Sequence, residues 1–580
     1  MLAVLLATTI ASSPALKVAP CRIGQTHAAA TCGSLTVFED RAAGTGRTID
    51  IHFIDIQAKH PSHRAIVFNP GGPGASATAT ANDFADTAEG AIATLRDQYD
   101  ILLVDNRGTG ESAPQQCDFV PAARPELYYR QVWPDELVRL CREKLSANAN
   151  LGLYTTSIAA DDLDDVRAAL GYPKLVLNGG SYGTRFYLDY VRRHPDHVES
   201  VILDGVAPPH FYILPLPMAR GAQTAIDNLA KACSQDPTCS ATFPHFAEHF
   251  AAVARRFDAG PVSITVENPV TRRRQTVQLT KEVFAESIRH ELYFPAGASY
   301  IPVIIERAYR GNYTPLAQMV GQLALLFANL VDNGLNLSTT CAEDIPYIPE
   351  ADVAPSSEGT FEGDARVRAQ QRACKIWNVA EAPAAFEEPV RSNAPILMIS
   401  GTDDPASPPE YGREALAYLP NARQMLVPGA SHDSDLPPCV DAITIAFVRA
   451  QSAAGLDLDH CAASYRRPSF VTLAFDESAS GERIAEHRRF AKVLAGILRG
   501  NLDRSRVTPA FSQRFSDVLL KELASGFAGL GALQTIVFKG ASGPPNARVY
   551  NYLMQFTQGN ILATFTLDGS GRLANLDFSG

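Results

Sequence analysis

The chain has 580 residues, several times the length of one folding unit, and 46% hydrophobic against 19% charged residues excludes disorder as its main character. Its 51 Lys and Arg against 62 Asp and Glu leave a net charge of −11, which argues against a nucleic-acid or anionic-membrane partner. No apolar run reaches 18 residues, so no integral membrane segment is expected.

At the start, Leu2–Ile10 is apolar and is followed by the small residues Ala11-Ser12-Ser13-Pro14-Ala15. This is the pattern of a signal peptide cleaved near Ala15, although no Lys or Arg precedes it, and residues 1–20 are set aside as the leader region. The ten cysteines fall into sequence-local couples: Cys21 with Cys32, Cys117 with Cys141, Cys233 with Cys239, Cys341 with Cys374, and Cys439 with Cys461. None makes a C-x-x-C, so neither a zinc ribbon nor a thioredoxin motif is offered. Ten thiols behind a secretion signal point to disulfides in a secreted or periplasmic protein. Connectivity is not readable from sequence, and nearest-neighbour pairing is the expectation.

Strands are expected at Ser34–Glu39, Thr48–Gln57, Ala65–Asn69 and Asp100–Asp105, the last two being short apolar runs of the kind covered on both faces. A helix over Ser157–Leu170 has Ser157 as its cap and Asp161, Asp162, Asp164 and Asp165 in its early turns. A strand at Leu175–Asn178, a helix at Tyr182–Arg193 and a strand at Val201–Asp204 follow, and this alternation means a parallel α/β sheet. The rhythm stops at Pro208-Pro209 and resumes with a strand at Pro395–Ser400. Residues 208–393 therefore read as an insertion above the sheet edge, mostly helical, with a hairpin around Val262–Leu279 and an amphipathic helix at Leu316–Val331. A helix from about Pro408, a strand at Arg423–Val427 and a helix at Val440–Ala450 complete the α/β unit, which spans 21–207 and 394–465. Residues 466–580 contain no cysteine and read as a small α+β domain. Helices are expected there at Gly481–Arg499 and Thr508–Leu530, then strands at Leu533–Lys539, Arg548–Phe556, Asn560–Leu567 and Arg572–Phe578.

Gly179-Gly180-Ser181-Tyr182-Gly183 matches G-x-S-x-G, set between an apolar strand and a helix. That setting exposes the serine oxygen on a sharp turn and requires small flanking residues. A serine hydroxyl needs a base, and the base needs a carboxylate to fix its tautomer. The strand ending at Ser400 runs into Gly401-Thr402-Asp403-Asp404, and the strand ending at Val427 into Pro428-Gly429-Ala430-Ser431-His432. An acid and a histidine thus follow the serine at successive strand ends, in the order Ser, Asp, His. Asp404 is chosen as the acid, with Asp403 as the alternative. The oxyanion needs donors: the backbone N–H of Tyr182, and Gly72 of the loop Asn69-Pro70-Gly71-Gly72-Pro73-Gly74, with Gly71 second.

The combination of Asn69–Gly74, Asp105-Asn106-Arg107-Gly108-Thr109-Gly110-Glu111-Ser112, Gly180–Thr184, Asp404-Pro405-Ala406-Ser407-Pro408 and Cys439 to Cys461 resembles the secreted prolyl iminopeptidase and tripeptidyl aminopeptidase group of α/β-hydrolases. The resemblance spans about Cys21 to Cys461. It implies an α/β-hydrolase sheet with a mostly helical cap insertion. The implied activity is a serine peptidase acting on peptide N-termini, with Ser181 as nucleophile, Asp404 as acid and His432 as base; no cofactor is expected. Two departures stand out: Asn69-Pro70 replaces the histidine usual in prolyl iminopeptidases, which is nearer to the tripeptidyl branch, and Ser407 replaces a usual threonine.

An exopeptidase must recognise a free ammonium, for which Glu343 or Asp344 of the Cys341-Ala342-Glu343-Asp344 string is the candidate. His245-Phe246-Ala247-Glu248-His249 matches an inverted zinc-peptidase motif but has no evident third ligand, so no metal is expected. The C-terminal domain resembles the nuclear-transport-factor-like (SnoaL-like) class in its helices-then-hairpins order, and self-association or substrate binding is expected of it. The expected function is release of residues or short peptides from peptide N-termini. An esterase with the same triad, or an idle hydrolase-fold binding protein, are the alternatives.

Overall fold

Runs that are apolar at every position can be covered on both faces only inside a layered sheet. That is how the central strands are used in the structure, a computed structural model. It describes residues 15–580 except 25, 88–89, 211–213, 269, 272, 433–435, 474–489, 491–492, 495, 532, 543–547, 557–558 and 580. The apolar stretch Leu2–Ile10 and most of the expected helix Gly481–Arg499 lie outside the described residues.

Among the described residues nine strands make the main sheet: β1 (Leu16–Ile23), β2 (Ala28–Phe38), β3 (Thr48–Ile56), β4 (Ala65–Asn69), β5 (Asp100–Val104), β6 (Leu175–Gly180), β7 (Val198–Asp204), β10 (Ile396–Gly401) and β11 (Ala422–Val427). Their spatial order is β1-β2-β3-β5-β4-β6-β7-β10-β11. The first four in that order pair antiparallel, and everything from β5 onward is parallel. Side chains alternate between two buried faces: Val67, Leu102, Leu177 and Met398 pack on one, and Ile66, Leu103, Val176 and Leu397 on the other.

The edge strand β1 was not foreseen. It takes in Leu16–Pro20, grouped with the leader on sequence grounds, and its mostly exposed side chains carry no two-faced apolar pattern. The helix α1 (Thr156–Leu170) starts one residue earlier than expected, and Thr155 stands at its N-cap. Ser157 is not the cap; its Oγ donates to Asp189 instead. The helix α2 (Tyr182–Arg193) follows β6 directly.

The insertion supplies the hairpin β8 (Val262–Glu267) with β9 (Arg274–Leu279), and the helices α3 (Lys281–Tyr293), α4 (Thr314–Leu330), α5 (Asn333–Glu343) and α6 (Ala365–Trp377). The helix α7 (Cys439–Ala450) closes the α/β part. The chain divides into two units, one of residues 1–228, 254–295 and 317–467, the other of residues 229–253, 296–316 and 468–580. In the second unit, β12 (Val471–Leu473), β13 (Leu533–Ser542), β14 (Val549–Phe556), β15 (Asn560–Leu567) and β16 (Leu573–Ser579) form an antiparallel sheet in sequence order. Its core includes Phe490, Leu494, Tyr552 and Phe565. The single helix expected over Thr508–Leu530 is two, α8 (Pro509–Arg514) and α9 (Asp517–Gly529). Each carries its own cap: the Thr508 hydroxyl accepts from the Phe511 N–H, and that of Ser516 from the Leu519 N–H.

All ten cysteines are bonded, and the nearest-neighbour pairing is the one adopted. Cys21 bonds to Cys32 and so ties the edge strand β1 to β2, its neighbour in the sheet. Cys117 bonds to Cys141, Cys233 to Cys239, Cys341 to Cys374, and Cys439 to Cys461. No cysteine is left free. These ten residues therefore hold the chain together and none of them is a nucleophile or a metal ligand.

Candidate active site

The C-terminal ends of parallel strands, where side chains and helix N-termini converge, are where this class of sheet gathers its polar groups. Ser181 stands between β6 and α2 with φ 55° and ψ −127°, a backbone conformation that costs a non-glycine residue on the order of 1–3 kcal/mol. The turn is held by the Ser181 N–H donating to the Asp204 carbonyl at 2.8 Å and by the Thr184 hydroxyl donating to the Ser181 carbonyl at 2.6 Å. A side chain at position 183 would meet the Asn69 carbonyl at 2.4 Å, so the motif's last glycine is required by close packing against β4.

His432 follows β11, and its Nδ1 lies 2.9 Å from Asp404 Oδ2 and 3.1 Å from Oδ1. The Asp404 carboxylate, 3% exposed, also accepts from the Ala406 and Ser407 backbone N–H groups at 2.7 and 2.8 Å and from the Ser407 hydroxyl at 2.7 Å. Burial works to raise this carboxyl, but the His432 ring and the Ser407 donors outweigh it and hold it below the usual carboxylate range. Asp403 turns elsewhere: its Oδ1 accepts from Asn228 Nδ2 at 2.9 Å. With Nδ1 of His432 facing the carboxylate, Nε2 is the ring nitrogen turned away from it.

The glycine loop after β4 lies against Ser181. A Cβ on Gly71 would sit 3.0 Å from the Ser181 Cβ and 3.1 Å from the Tyr182 nitrogen. Gly71 spends its N–H on Asn69 Oδ1 at 3.0 Å, while Gly72, at φ 109°, has a backbone conformation that favours glycine. Tyr182 is the first residue of α2, so its N–H has no acceptor within the helix. The α4–α5 elbow grips the loop: the Asp332 N–H donates to the Gly74 carbonyl at 2.7 Å, and Asn336 Nδ2 to the Pro73 carbonyl at 3.2 Å. The Gly110 N–H donates to Asp332 Oδ2 at 3.0 Å, and burial pushes the Asp332 carboxyl up to about 6.

Ser181, Tyr182, Gly72 and His432 line one cavity of about 650 Å³. Its walls come from the insertion: Trp133 and Tyr128 before it, then Glu286, Arg289, His290 and Tyr293 of α3, Phe327 and Leu323 of α4, Asp344, and Arg366 of α6. Tyr293 lies beside His432, with ring centres 4.8 Å apart.

The two candidate ammonium ligands part company. Asp344 lines the cavity, and its Oδ1 accepts from Arg185 Nη1 at 2.8 Å and from the Leu214 N–H at 2.7 Å. Glu343 is fully buried and is not a lining residue. Its Oε1 accepts from the Thr156 N–H at 2.6 Å and its Oε2 from the Thr156 hydroxyl at 2.6 Å; that hydroxyl is 2.6 Å from the Tyr182 phenol oxygen. Burial pushes the Glu343 carboxyl up to about 8.

The two histidines of the zinc-like string are each taken by an acid, His245 Nδ1 by Glu248 and His249 Nδ1 by Glu306, both at 2.6 Å. Among the described residues one trio of metal-type ligands lies close together, Asp164, His194 and His197, but none of the three lines the cavity and Asp164 already accepts from Arg167 and Tyr190. Sequence reading missed the polar wall of α3. Its signal was present in Glu286, Arg289, His290 and Tyr293, whose spacing puts four polar side chains on one helix face.

The alpha/beta hydrolase fold family matches residues 64–434. The chain is similar to serine protease Hip1 of Mycobacterium tuberculosis, 26% identical over 424 residues that cover 66% of this chain and 78% of that protein. It is similar to tripeptidyl aminopeptidase of Streptomyces coelicolor, 32% identical over 200 residues, 31% of this chain and 35% of that one. It is also similar to carboxylesterase B of Mycobacterium tuberculosis, 27% identical over 234 residues, with coverages of 36% and 43%.

Proposed function

Because the chain belongs to the alpha/beta hydrolase fold family and is a serine hydrolase, we propose that it is an aminopeptidase, releasing residues or short peptides from peptide N-termini by acyl transfer through Ser181. The observation that carries this reading is the cavity, in which Ser181 and His432 share about 650 Å³ with the Asp344 carboxylate under walls from the insertion. A pocket of this size holds a small ligand or a chain end.

In this reading His432 Nε2 takes the Ser181 proton as Oγ attacks the scissile carbonyl, and Asp404 stays ionised to stabilise the imidazolium. The N–H groups of Gly72 and Tyr182 receive the oxyanion. His432 then protonates the leaving amine, and water, activated by the same base, releases the acyl group from Ser181. Asp344, rather than Glu343, supplies the carboxylate for the substrate ammonium. The five disulfides support folding in an oxidising compartment, secreted or periplasmic. The C-terminal sheet domain lies outside the matched residues; its nuclear-transport-factor-like reading and a part in self-association belong to this proposal.

The test is a comparison of tripeptide p-nitroanilides bearing free and acetylated amines with p-nitrophenyl esters. A preference of about 100-fold or more for the free amine is expected. Equal cleavage of the blocked peptides would make the protein an endopeptidase. Turnover of esters alone would favour the second reading, an esterase, which the likeness to carboxylesterase B supports.

A further inference from the structure

The cavity wall built by α3 and α6 gathers two arginines, Arg289 and Arg366, with the carboxyl groups of Glu286 and Glu362. Arg289 has the closer contacts, although its Nε, like that of Arg366, finds no hydrogen-bond acceptor among the described residues. Its Nη2 lies 2.6 Å from Glu286 Oε2, the same nitrogen lies 3.3 Å from His290 Nε2, its Nη1 reaches the Tyr293 hydroxyl, and its Nε lies 3.3 Å from Glu362 Oε1. Burial drives His290 down to about 3, so the ring is neutral, and Glu362 up to about 7. Burial also works to raise Glu286, but Arg289 and Arg366 outweigh it and hold that carboxyl well below its usual range. Glu286 is thus the more firmly ionised of the two carboxyl groups that the guanidinium groups share.

Arg366 is left with the poorer share. Its charged contact is Nε to Glu286 Oε2 at 3.2 Å, on a carboxylate oxygen that Arg289 already approaches more closely. Its guanidinium carbon lies 4.3 Å from the centre of the Trp133 ring, its Nε and Nη1 find no hydrogen-bond acceptor among the described residues, and the residue is 9% exposed. A buried guanidinium with unfilled donors is costly unless an acceptor arrives. Trp133 and Arg366 both face the cavity that holds Ser181.

We propose that Arg366, over the Trp133 ring, receives a substrate carboxylate, either an acidic side chain or the C-terminal carboxylate of a short peptide. This rests on the reading of the cavity as a hydrolase's substrate site. A planar fork of N–H donors matches a carboxylate in shape and in charge. An ammonium would meet two guanidinium groups there, and a neutral amide would give the unfilled Arg366 donors a weaker, uncharged acceptor.

Binding is read by calorimetry in the full-length Ser181→Ala protein, so that it does not depend on turnover. One arm compares Ala-Ala-Glu-amide with Ala-Ala-Gln-amide, with the acid moved through each of the three positions. The other compares Ala-Ala-Ala with its C-terminal amide. In one arm the carboxylate should bind about 10- to 100-fold tighter. Adding Arg366→Gln should bring the ratio to near one, and Arg366→Lys should keep part of it. A ratio within twofold in both arms overturns the proposal without recourse to any Arg366 variant, as does a preference that survives Arg366→Gln. Fluorophosphonate labelling of Ser181 in the unmutated protein tests the hydrolase reading separately.

Discussion

Replacing Glu343 distinguishes a carboxyl that holds the fold around Tyr182 from one that serves as a substrate receptor. Glu343 is fully buried, and its carboxyl rises from the usual 4.5 to about 8 through burial. Such a group stabilises the fold fully below 4.5 and loses that contribution as pH climbs through 8. At about 1.4 kcal/mol for each tenfold change in proton affinity, the loss is on the order of 4–5 kcal/mol. Glu343→Gln is a neutral isostere: its carbonyl still accepts from the Thr156 N–H, and its amide donates to the Thr156 hydroxyl. Relative to the unmutated protein it should therefore gain several kcal/mol between pH 5 and pH 9, and keep its turnover of free-amine peptides at pH 7. Glu343→Ala leaves the Thr156 N–H and hydroxyl without that partner, at about 1–3 kcal/mol each, and should slow every substrate, esters included, through Tyr182. Urea unfolding followed by tryptophan fluorescence reports on the relevant unit, since both tryptophans, Trp133 and Trp377, lie in it. A stability difference between Glu343→Gln and the unmutated protein that is the same at pH 5 and pH 9 would refute the reasoning.

Ser181→Ala and His432→Ala should each lower turnover by about 10⁴- to 10⁶-fold, and fluorophosphonate should label the unmutated protein but not Ser181→Ala. Ser407→Ala removes one charge-assisted bond to the Asp404 carboxylate and should lower kcat by about 10- to 100-fold, with Ser407→Thr close to the unmutated protein; an unchanged kcat in the alanine variant would remove Ser407 from the positioning of Asp404. The Cys341–Cys374 bridge closes a separation of 33 residues, so Cys341→Ser with Cys374→Ser should cost about 3–4 kcal/mol in urea unfolding. An unmoved midpoint would contradict that.

Much of this architecture was legible because strands buried on both faces are written as unbroken apolar runs, and because Ser181, Asp404 and His432 each stand just past the end of one. Ala65–Asn69 and Tyr182–Arg193 were bounded to the residue. The choice between Asp403 and Asp404, or Gly71 and Gly72, depends on which partner absorbs a hydrogen bond: Asn228 takes Asp403, and Asn69 takes the Gly71 N–H. Those partners are fixed by the folded chain rather than by local spacing. The polar wall escaped notice for a related reason. Arg366 meets Glu286 across 80 residues of sequence, and nothing in either neighbourhood announces the other. Ser157 was misread because Thr155, Thr156 and Ser157 are all competent caps, and the neighbouring helix decided the matter by offering Asp189 to Ser157.

The elbow at Asp332 and Asn336 carries a lesson for anyone wishing to re-engineer selectivity by transplanting a foreign roof. The Asp332 N–H and the Asn336 side chain are bonded to the Pro73-Gly74 turn, so the glycine loop beneath would be disturbed by the graft itself. A chimera spliced outside residues 331–336 should retain a working floor, whereas one spliced through them should inherit a new shape and lose the chemistry.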